Sequence, residues 1–201
     1  MVFPGAGFLY TGSPLLFVLT WVLLSVALVL WWGMSLHLGI PGVWALSAIG
    51  SAQTSVSLAY PGSGTYNAAY DIWLNADRNV SGVQDTEIMI WLNHTGSIRP
   101  IGSKTGTVKL GGRTWSVWVG NNGANNVVSY QGSGMASFSA DLKPFIVDAI
   151  SRGSGFGTSA WYLTSIQMGF EPWINGVGLA VNSFSASVSG GGATSIAPAL
   201  T

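Results

Sequence analysis

Two glutamates are the strongest candidates for chemistry in this sequence. Glu87 stands at the head of the run TEIMIWLN, Glu171 lies within MGFEPW, and the 201-residue chain contains no other glutamate. Ionised carboxylates are seldom buried without a partner, so each glutamate either has such a partner or lies where water and a substrate reach it. The ordinary alternative is that both lie at strand ends and face solvent.

The alternation of side chains along a β-strand identifies a third acid, Asp71, that can lie near this pair. Side chains two residues apart lie on one face of a strand. The rule gives three same-face sets: Glu87 with Met89 and Trp91; Asp71 with Trp73; and Glu171 with Ser165, Gln167 and Gly169. Three acids on three strands can therefore line one cleft. For Asp71 alone, a capping or turn role is the ordinary explanation.

Two carboxylates across a sugar are the minimum requirement for glycoside hydrolysis. One must be ionised to attack or to activate water, and the other must hold a proton for the leaving oxygen. Apolar neighbours such as Phe170 and Trp173, together with a nearby anion, favour the protonated form of Glu171.

Composition excludes several other functions. Seven basic and seven acidic residues cancel, so no basic surface for nucleic acid is expected, and the absence of cysteine removes thiolate catalysis and cysteine zinc sites. His94 has no partner at metal-ligand spacing and is predicted to be a surface histidine; no metal or cofactor is expected. Ten tryptophans and 28 glycines favour a β structure with aromatic-lined surfaces, as in many carbohydrate-binding proteins, although core tryptophans are the ordinary alternative.

The elements that position these residues are predicted to be β-strands. Short alternating runs separated by turn signals indicate an all-β sandwich or barrel. Nine strands are expected, at about 55–60, 68–74, 86–92, 106–110, 113–119, 126–130, 135–140, 161–170 and 179–188, with a Gly-Gly hairpin turn in KLGGRT. One helix is expected over 141–151, where apolar residues recur at helical spacing and Asp141 can cap the start.

The chain begins with an apolar segment. Residues 1–70 carry no charged side chain, and residues 15–36 form a run that, as a helix, is about 30 Å long and spans a bilayer. We predict a membrane anchor here; an export signal and an artefactual N-terminus are the alternatives. The protein is expected to be extracellular or at the cell surface, tethered if the segment is not cleaved. The Gly- and Ser-rich tail, 189–201, is predicted to be flexible.

Several motifs, in order, resemble glycoside hydrolase family 12, the small secreted endo-β-1,4-glucanases. They are NAAYDIWLN, QDTEIMIWLN, IGSKTGTVKLGGRTWSVWVGNNGANNVVSY, WYLTSIQMGFEPW and GLAVNSFSASV. The resemblance implies that Glu87 is the nucleophile, Glu171 the general acid/base and Asp71 a supporting acid. It also implies that Met89 lines the sugar site, and Trp118 and Trp173 are assigned to substrate binding.

The resemblance implies a β-jelly roll with one helix on its convex face, covering residues 43–188. Residues 1–42 do not resemble the strands, the stacking tryptophan and the disulfide that normally precede this region, so we expect an incomplete jelly roll. We predict a monomeric, retaining endo-β-1,4-glucanase acting on β-glucan. The alternative is a non-catalytic glycan-binding or membrane-associated remnant. The preferred polymer, whether cellulose, mixed-linkage glucan or xyloglucan, is left open.

Overall fold

The alternating runs of the sequence form strands in the computed structural model, which describes residues 38–190. The strands are β1 (Leu38–Ala45), β2 (Ile49–Ala59), β3 (Thr65–Asn75), β4 (Thr86–His94), β5 (Ser103–Leu110), β6 (Arg113–Asn121), β7 (Asn126–Gln131), β8 (Ser137–Asp141), β9 (Tyr162–Ile174) and β10 (Ala180–Gly190). One α-helix, α1, spans Lys143–Ile150. The predicted membrane segment, 15–36, lies outside the described residues. Within 38–190, no helix combines the length and apolarity needed to cross a bilayer.

The strands form two sheets that enclose one core. The larger sheet has the order β1-β9-β3-β4-β7-β6-β5, and the smaller has the order β10-β2-β8. Strands β4 and β7 run parallel, whereas the other described pairs are antiparallel. Buried side chains from both sheets meet in the main cluster, among them Val56 of β2, Ile72 of β3 and Ile90 of β4. The fold is therefore mostly a β-sandwich with one helix, as predicted.

All nine predicted strands are present, and the first strand, β1, was not predicted. Its sequence contains Pro41 and Gly42, which usually end a strand, and its register with β9 shifts between Pro41 and Trp44. A β-carbon at Gly42 would collide with the Trp44 ring, so any larger residue there would force this ring to move. Pairing with β9 thus maintains a strand whose own sequence predicts a break.

The helix and the hairpin are present where the sequence predicts them, although the N-cap residue of α1 is Leu142, one residue after the predicted cap, Asp141. The Asp141 side chain accepts hydrogen bonds from the Lys143 N–H and from the Ala52 N–H, both at 2.9 Å, so it holds the helix start against β2. Gly111 and Gly112 both have positive φ, +56° and +75°, as a two-residue turn between β5 and β6 requires. The Asp141 contacts thus join the helix to the smaller sheet, and the Gly-Gly turn joins β5 to β6 at one edge of the larger sheet, which carries the acidic residues.

Candidate active site

The three predicted acids lie on three neighbouring strands of the larger sheet. Glu171 on β9 is paired in register with Asn67 on β3, and Glu87 on β4 is paired with Trp73 on β3. Asp71 lies on the central strand, β3, between these two positions. Residues paired across antiparallel strands share a face, so the register places all three carboxylates on one face.

This face is opposite the main core. Along β4, Ile88 and Ile90 enter the core between the sheets, whereas Glu87 and Met89 point to the other side. Ala69, Met89, Trp91 and Val127 form a second, smaller apolar cluster on that side. We call this cluster the cleft floor. The acids therefore lie around an apolar surface, as the same-face sets predicted.

Glu87 is partly buried, and its environment disfavours the ionised carboxylate. Burial is the main cause, followed by the negative charges of Asp71 and Glu171; together they raise the pKa of Glu87 to about 8, although the Asn125 side chain opposes this rise. The charges of both other acids therefore act on the Glu87 carboxyl. The alternative that Glu87 faces open solvent is therefore wrong.

Glu171 receives a hydrogen bond from a fully buried amide. The Asn67 Nδ2 group donates to Oε2 of Glu171, and the Asn67 side chain is 0% exposed. A donor to a carboxylate oxygen favours the ionised form and fixes the orientation of the carboxyl group. Asn67 Oδ1 has no hydrogen-bond partner within the described part of the chain. The amide thus has one further acceptor position beside the Glu171 carboxyl.

Indole groups on the same face are held by glutamine side chains. Trp73 donates through Nε1 to Gln167 Oε1 at 3.2 Å, and Trp118 donates through Nε1 to Gln131 Oε1 at 2.9 Å. Gln131 Nε2 lies 3.2 Å from Nε2 of His94. His94, which was predicted to be a surface histidine, is partly buried beside the Trp91 ring and is linked to β7.

The predicted substrate-binding residues occupy different parts of this face. Met89 is 7% exposed and belongs to the cleft floor. Trp118 is partly buried on β6, separated from β4 by β7. Trp173 follows Glu171 by two residues along β9 and is 65% exposed, so a large ring is accessible next to the carboxyl. Their roles in substrate binding stay predictions.

Sequence reasoning missed three polar residues of the site. Asn67 lies four residues before Asp71, so the period-two rule that grouped the acids could have identified it. Gln131 ends β7, and its contacts depend on the register between distant strands. Asn125 lies in the turn before β7 and gave no signal in the sequence.

Comparison with known proteins agrees with this arrangement. Residues 35–189 match glycosyl hydrolase family 12. The chain is 45% identical over 139 residues to a probable cellulase, Cel12b, of Mycobacterium tuberculosis, covering 69% of this chain and 91% of the relative. It is 41% identical over 128 residues to the xyloglucan-specific endo-β-1,4-glucanase A of Emericella nidulans, covering 61% of this chain and 52% of the relative.

A solved structure from a comparison of family 12 glycoside hydrolases superimposes with a TM-score of 0.70 at 54% identity, covering 74% of this chain and 66% of that one. The chain thus spans about half of the fungal relative and about two thirds of the solved structure. Three findings define the protein as a member of a carbohydrate-cleaving class. They are the β-sandwich, the acidic residues on one face of its larger sheet and the match to the family. The chain belongs to glycosyl hydrolase family 12.

Proposed function

We propose that the protein is a retaining endo-β-1,4-glucanase that hydrolyses internal bonds of β-glucans by double displacement. The observation that carries this proposal is the common face of Glu87, Asp71 and Glu171, in a chain of family 12. Retention needs two carboxyl groups about 5 to 5.5 Å apart, close enough for one to form a bond to the sugar while the other protonates the leaving oxygen.

In the first step, a carboxylate oxygen of Glu87 bonds to the anomeric carbon while the glycosidic C–O bond breaks. Glu171 gives its proton to the departing oxygen, which leaves as a sugar hydroxyl. In the second step, Glu171 takes a proton from water, whose oxygen bonds to the anomeric carbon as the ester to Glu87 breaks. Both glutamates return to their starting states. Asn67 holds the Glu171 carboxyl in place through both proton transfers.

The mechanism depends on which of the two glutamates carries the proton, and the pKa of Glu87 bears on this point. Attack requires an ionised Glu87 and a protonated Glu171. In the free protein, burial and the charges of Asp71 and Glu171 raise the pKa of Glu87. Attack by Glu87 requires that this carboxyl is ionised when the substrate is bound. The same observation favours a second assignment, in which Glu171 attacks and Glu87 is the acid.

Labelling of the nucleophile distinguishes the two assignments. A 2-fluoroglycoside with a good leaving group traps the glycosyl-enzyme, and peptide mass spectrometry locates the added sugar. We expect it on Glu87, in the peptide containing EIMIW. A sugar on Glu171 would establish the reversed roles, and a sugar on Asp71 would contradict both.

Activity is tested by the reducing ends released from carboxymethylcellulose, mixed-linkage β-glucan and xyloglucan. Glu87→Gln should abolish turnover, and Glu171→Gln should lower it by about 10²- to 10⁴-fold on polymers, because general acid-base catalysis contributes that much. Gln53→Leu, on an exposed strand position of the smaller sheet, is the matched control. An unmodified chain that binds these glucans without releasing ends would instead support the non-catalytic alternative.

We also propose that the protein acts as a monomer outside the cell or at its surface, with residues 15–36 as a membrane tether. The support is the length and apolarity of this run. Fractionation of expressing cells tests it: tethered protein should resist carbonate extraction and dissolve in detergent. Recovery from the culture medium with an N-terminus after residue 36 would show cleavage and export instead.

A further inference from the structure

The dipeptide Asn-Gly occurs twice in the sequence, as Asn122-Gly123 and as Asn175-Gly176. The first lies in the turn between β6 and β7, and the second lies in the loop between β9 and β10. In such a pair, the backbone nitrogen of glycine can attack the side-chain amide carbon of asparagine, because glycine has no β-carbon to obstruct the approach. Each pair is therefore a candidate for chemical change of the asparagine.

The attack forms a cyclic imide and releases ammonia. The new bond joins the glycine nitrogen to Cγ of asparagine. The bond from Cγ to the side-chain nitrogen breaks, and this nitrogen leaves as ammonia with the proton of the peptide N–H. Water then opens the imide at either of its carbonyl carbons. One opening yields aspartate, and the other yields isoaspartate, in which the main chain runs through Cβ and Cγ.

Three hydrogen bonds restrain the Asn122-Gly123 pair. The Gly123 N–H donates to Asn121 Oδ1 at 2.7 Å, so the nitrogen that would attack is already engaged as a donor. Oδ1 of Asn122 accepts from the N–H groups of Ala124 and Asn125, both at 2.9 Å. The glycine nitrogen and the asparagine amide must therefore both leave their partners before they can react.

The Asn175-Gly176 pair has no comparable restraint. Within residues 38–190, neither the Asn175 side chain nor the Gly176 N–H forms a hydrogen bond. The neighbouring side chains of Ile174 and Val177 are 60% and 93% exposed, so the loop has few packing contacts that resist a change of conformation. Asn122 and Asn175 are both exposed, so hydrogen bonding and not exposure distinguishes the two pairs.

We propose that Asn175 is a site of spontaneous deamidation, which converts it to a mixture of isoaspartate and aspartate, and that hydrogen bonds protect Asn122 from the same reaction. The reaction consumes water and needs no enzyme or other reactant. The proposal is independent of the proposed function, because it concerns the covalent state of one loop.

The product changes the backbone at the end of β9. Asn175 has a positive φ, +54°, and no other non-glycine residue in the described part of the chain does. Its carbonyl oxygen lies against Gly64, where a β-carbon would come within 2.5 Å of it. In isoaspartate the carbon of this carbonyl becomes a free carboxylate, and one more backbone carbon separates Ile174 from Gly176. We expect the pairing of Thr65 with Ile174, at the end of the β3–β9 ladder, to be weakened.

Peptide mapping by mass spectrometry measures both reactions in one sample of the full-length chain. Trypsin cleavage after Arg152, the last basic residue of the chain, places Asn122 and Asn175 in different fragments. During incubation at mildly alkaline pH, a deamidated fragment gains mass because O replaces NH. We expect Asn175 to react about 10-fold or more faster than Asn122, since each hydrogen bond that must open slows the reaction by about 3- to 10-fold.

Two variants and an unfolded sample are the controls. In denaturant both pairs lose their contacts, so their rates should become similar. Asn121→Ala removes the acceptor of the Gly123 N–H and should accelerate the reaction at Asn122 by about 3- to 10-fold. Asn175→Gly keeps the left-handed backbone and removes the amide, so most of the mass gain of its fragment should disappear. Chains with isoaspartate should have a lower Tm than Asn175→Asp chains, which carry the added charge on a normal backbone.

The outcomes that contradict the proposal are distinct. Equal rates at Asn175 and Asn122 in the folded chain would overturn it, and so would a rate difference that persists in denaturant. An unchanged rate at Asn122 in the Asn121→Ala chain would show that the hydrogen bond does not protect this residue. Equal Tm values for the isoaspartate and Asn175→Asp chains would overturn the expected weakening at the end of β9.

Discussion

Replacing Glu87 by Gln should stabilise the protein at alkaline pH and have little effect near pH 5. The raised pKa of Glu87, about 8 against 4.5 for an unperturbed carboxyl, means that the folded state holds a proton which the unfolded state releases. The folded state binds more protons between these values, so stability falls as pH rises from about 5 to about 8. Gln binds no proton and avoids this loss.

The magnitude follows from the size of the shift. At about 1.4 kcal/mol per pKa unit, the full difference sets an upper bound of about 5 kcal/mol. Glu87 is only partly buried and solvent screens its charge, so we expect about 1 to 3 kcal/mol. For a domain of this size, 1 kcal/mol changes Tm by about 2 to 4 °C. Above pH 8, the Tm of Glu87→Gln should thus exceed that of the unmodified chain by roughly 2 to 12 °C.

Thermal unfolding of both proteins between pH 5 and 9 measures this difference. Asp71→Asn and Glu171→Gln each remove one neighbouring anion, so either should flatten the pH dependence in part, and Asp71→Asn should do so more strongly. Burial, the largest cause, remains in both. Parallel Tm curves for the unmodified chain and Glu87→Gln would refute the reasoning, since they would show that Glu87 titrates alike in both states.

Three further changes test other contacts. Asn67→Ala removes a fully buried donor to Glu171 and should lower kcat/KM by about 10-fold or more. The limb of the pH-rate profile that reports on Glu171 should be displaced, and an unchanged profile would argue against a positioning role of Asn67. A protein of residues 43–201 lacks residues 38–42 of β1 (Leu38–Ala45) and should unfold at lower temperature than residues 38–201; equal Tm values would show that this part of β1 does not stabilise the domain. Gly112→Ala, at φ +75° with open space around it, should cost about 1 kcal/mol from backbone strain alone, measured by denaturant unfolding; full stability would contradict the assigned turn.

The sequence predicted the elements that have a clear local period. The run TEIMIWL alternates between core and cleft sides in the structure, and Asp71 and Glu171 occupy the same-face positions that their own strands indicated. Strand periodicity determines such placements because it needs no information from distant residues. The helix ends differ from the prediction by one or two residues, since Asp141 holds the first turn from outside α1.

The remaining features depend on register between distant strands. The bond from Asn67 to Glu171 joins residues 104 positions apart, and the contact of Gln131 with His94 joins residues 37 apart. Neither pairing has a signature in either segment alone. Strand β1 was missed because Pro41 and Gly42 predict a break and because the apolar segment before it was assigned to a membrane helix. Only pairing with β9 makes that stretch a strand.

The pairing of early strands with late ones decides the order in which the domain can be assembled. Leu38 of β1 is paired with Met168 of β9, and Ala52 of β2 with Val188 of β10, so both contacts join segments more than 100 residues apart. At about 5 to 20 residues per second, a ribosome needs on the order of 10 s between the two halves of each pair. During that interval β1 and β2 have exposed edges, a state prone to aggregation.

The β3–β4 pair, which joins Trp73 to Glu87, can form early because its strands are adjacent along the chain. The strand that carries Glu171 is made much later and must then insert between β1 and β3. Synthesis therefore produces one glutamate strand in a local hairpin long before the other exists. The two carboxyls meet only after β9 has been made, when β9 and then β10 close the two sheets.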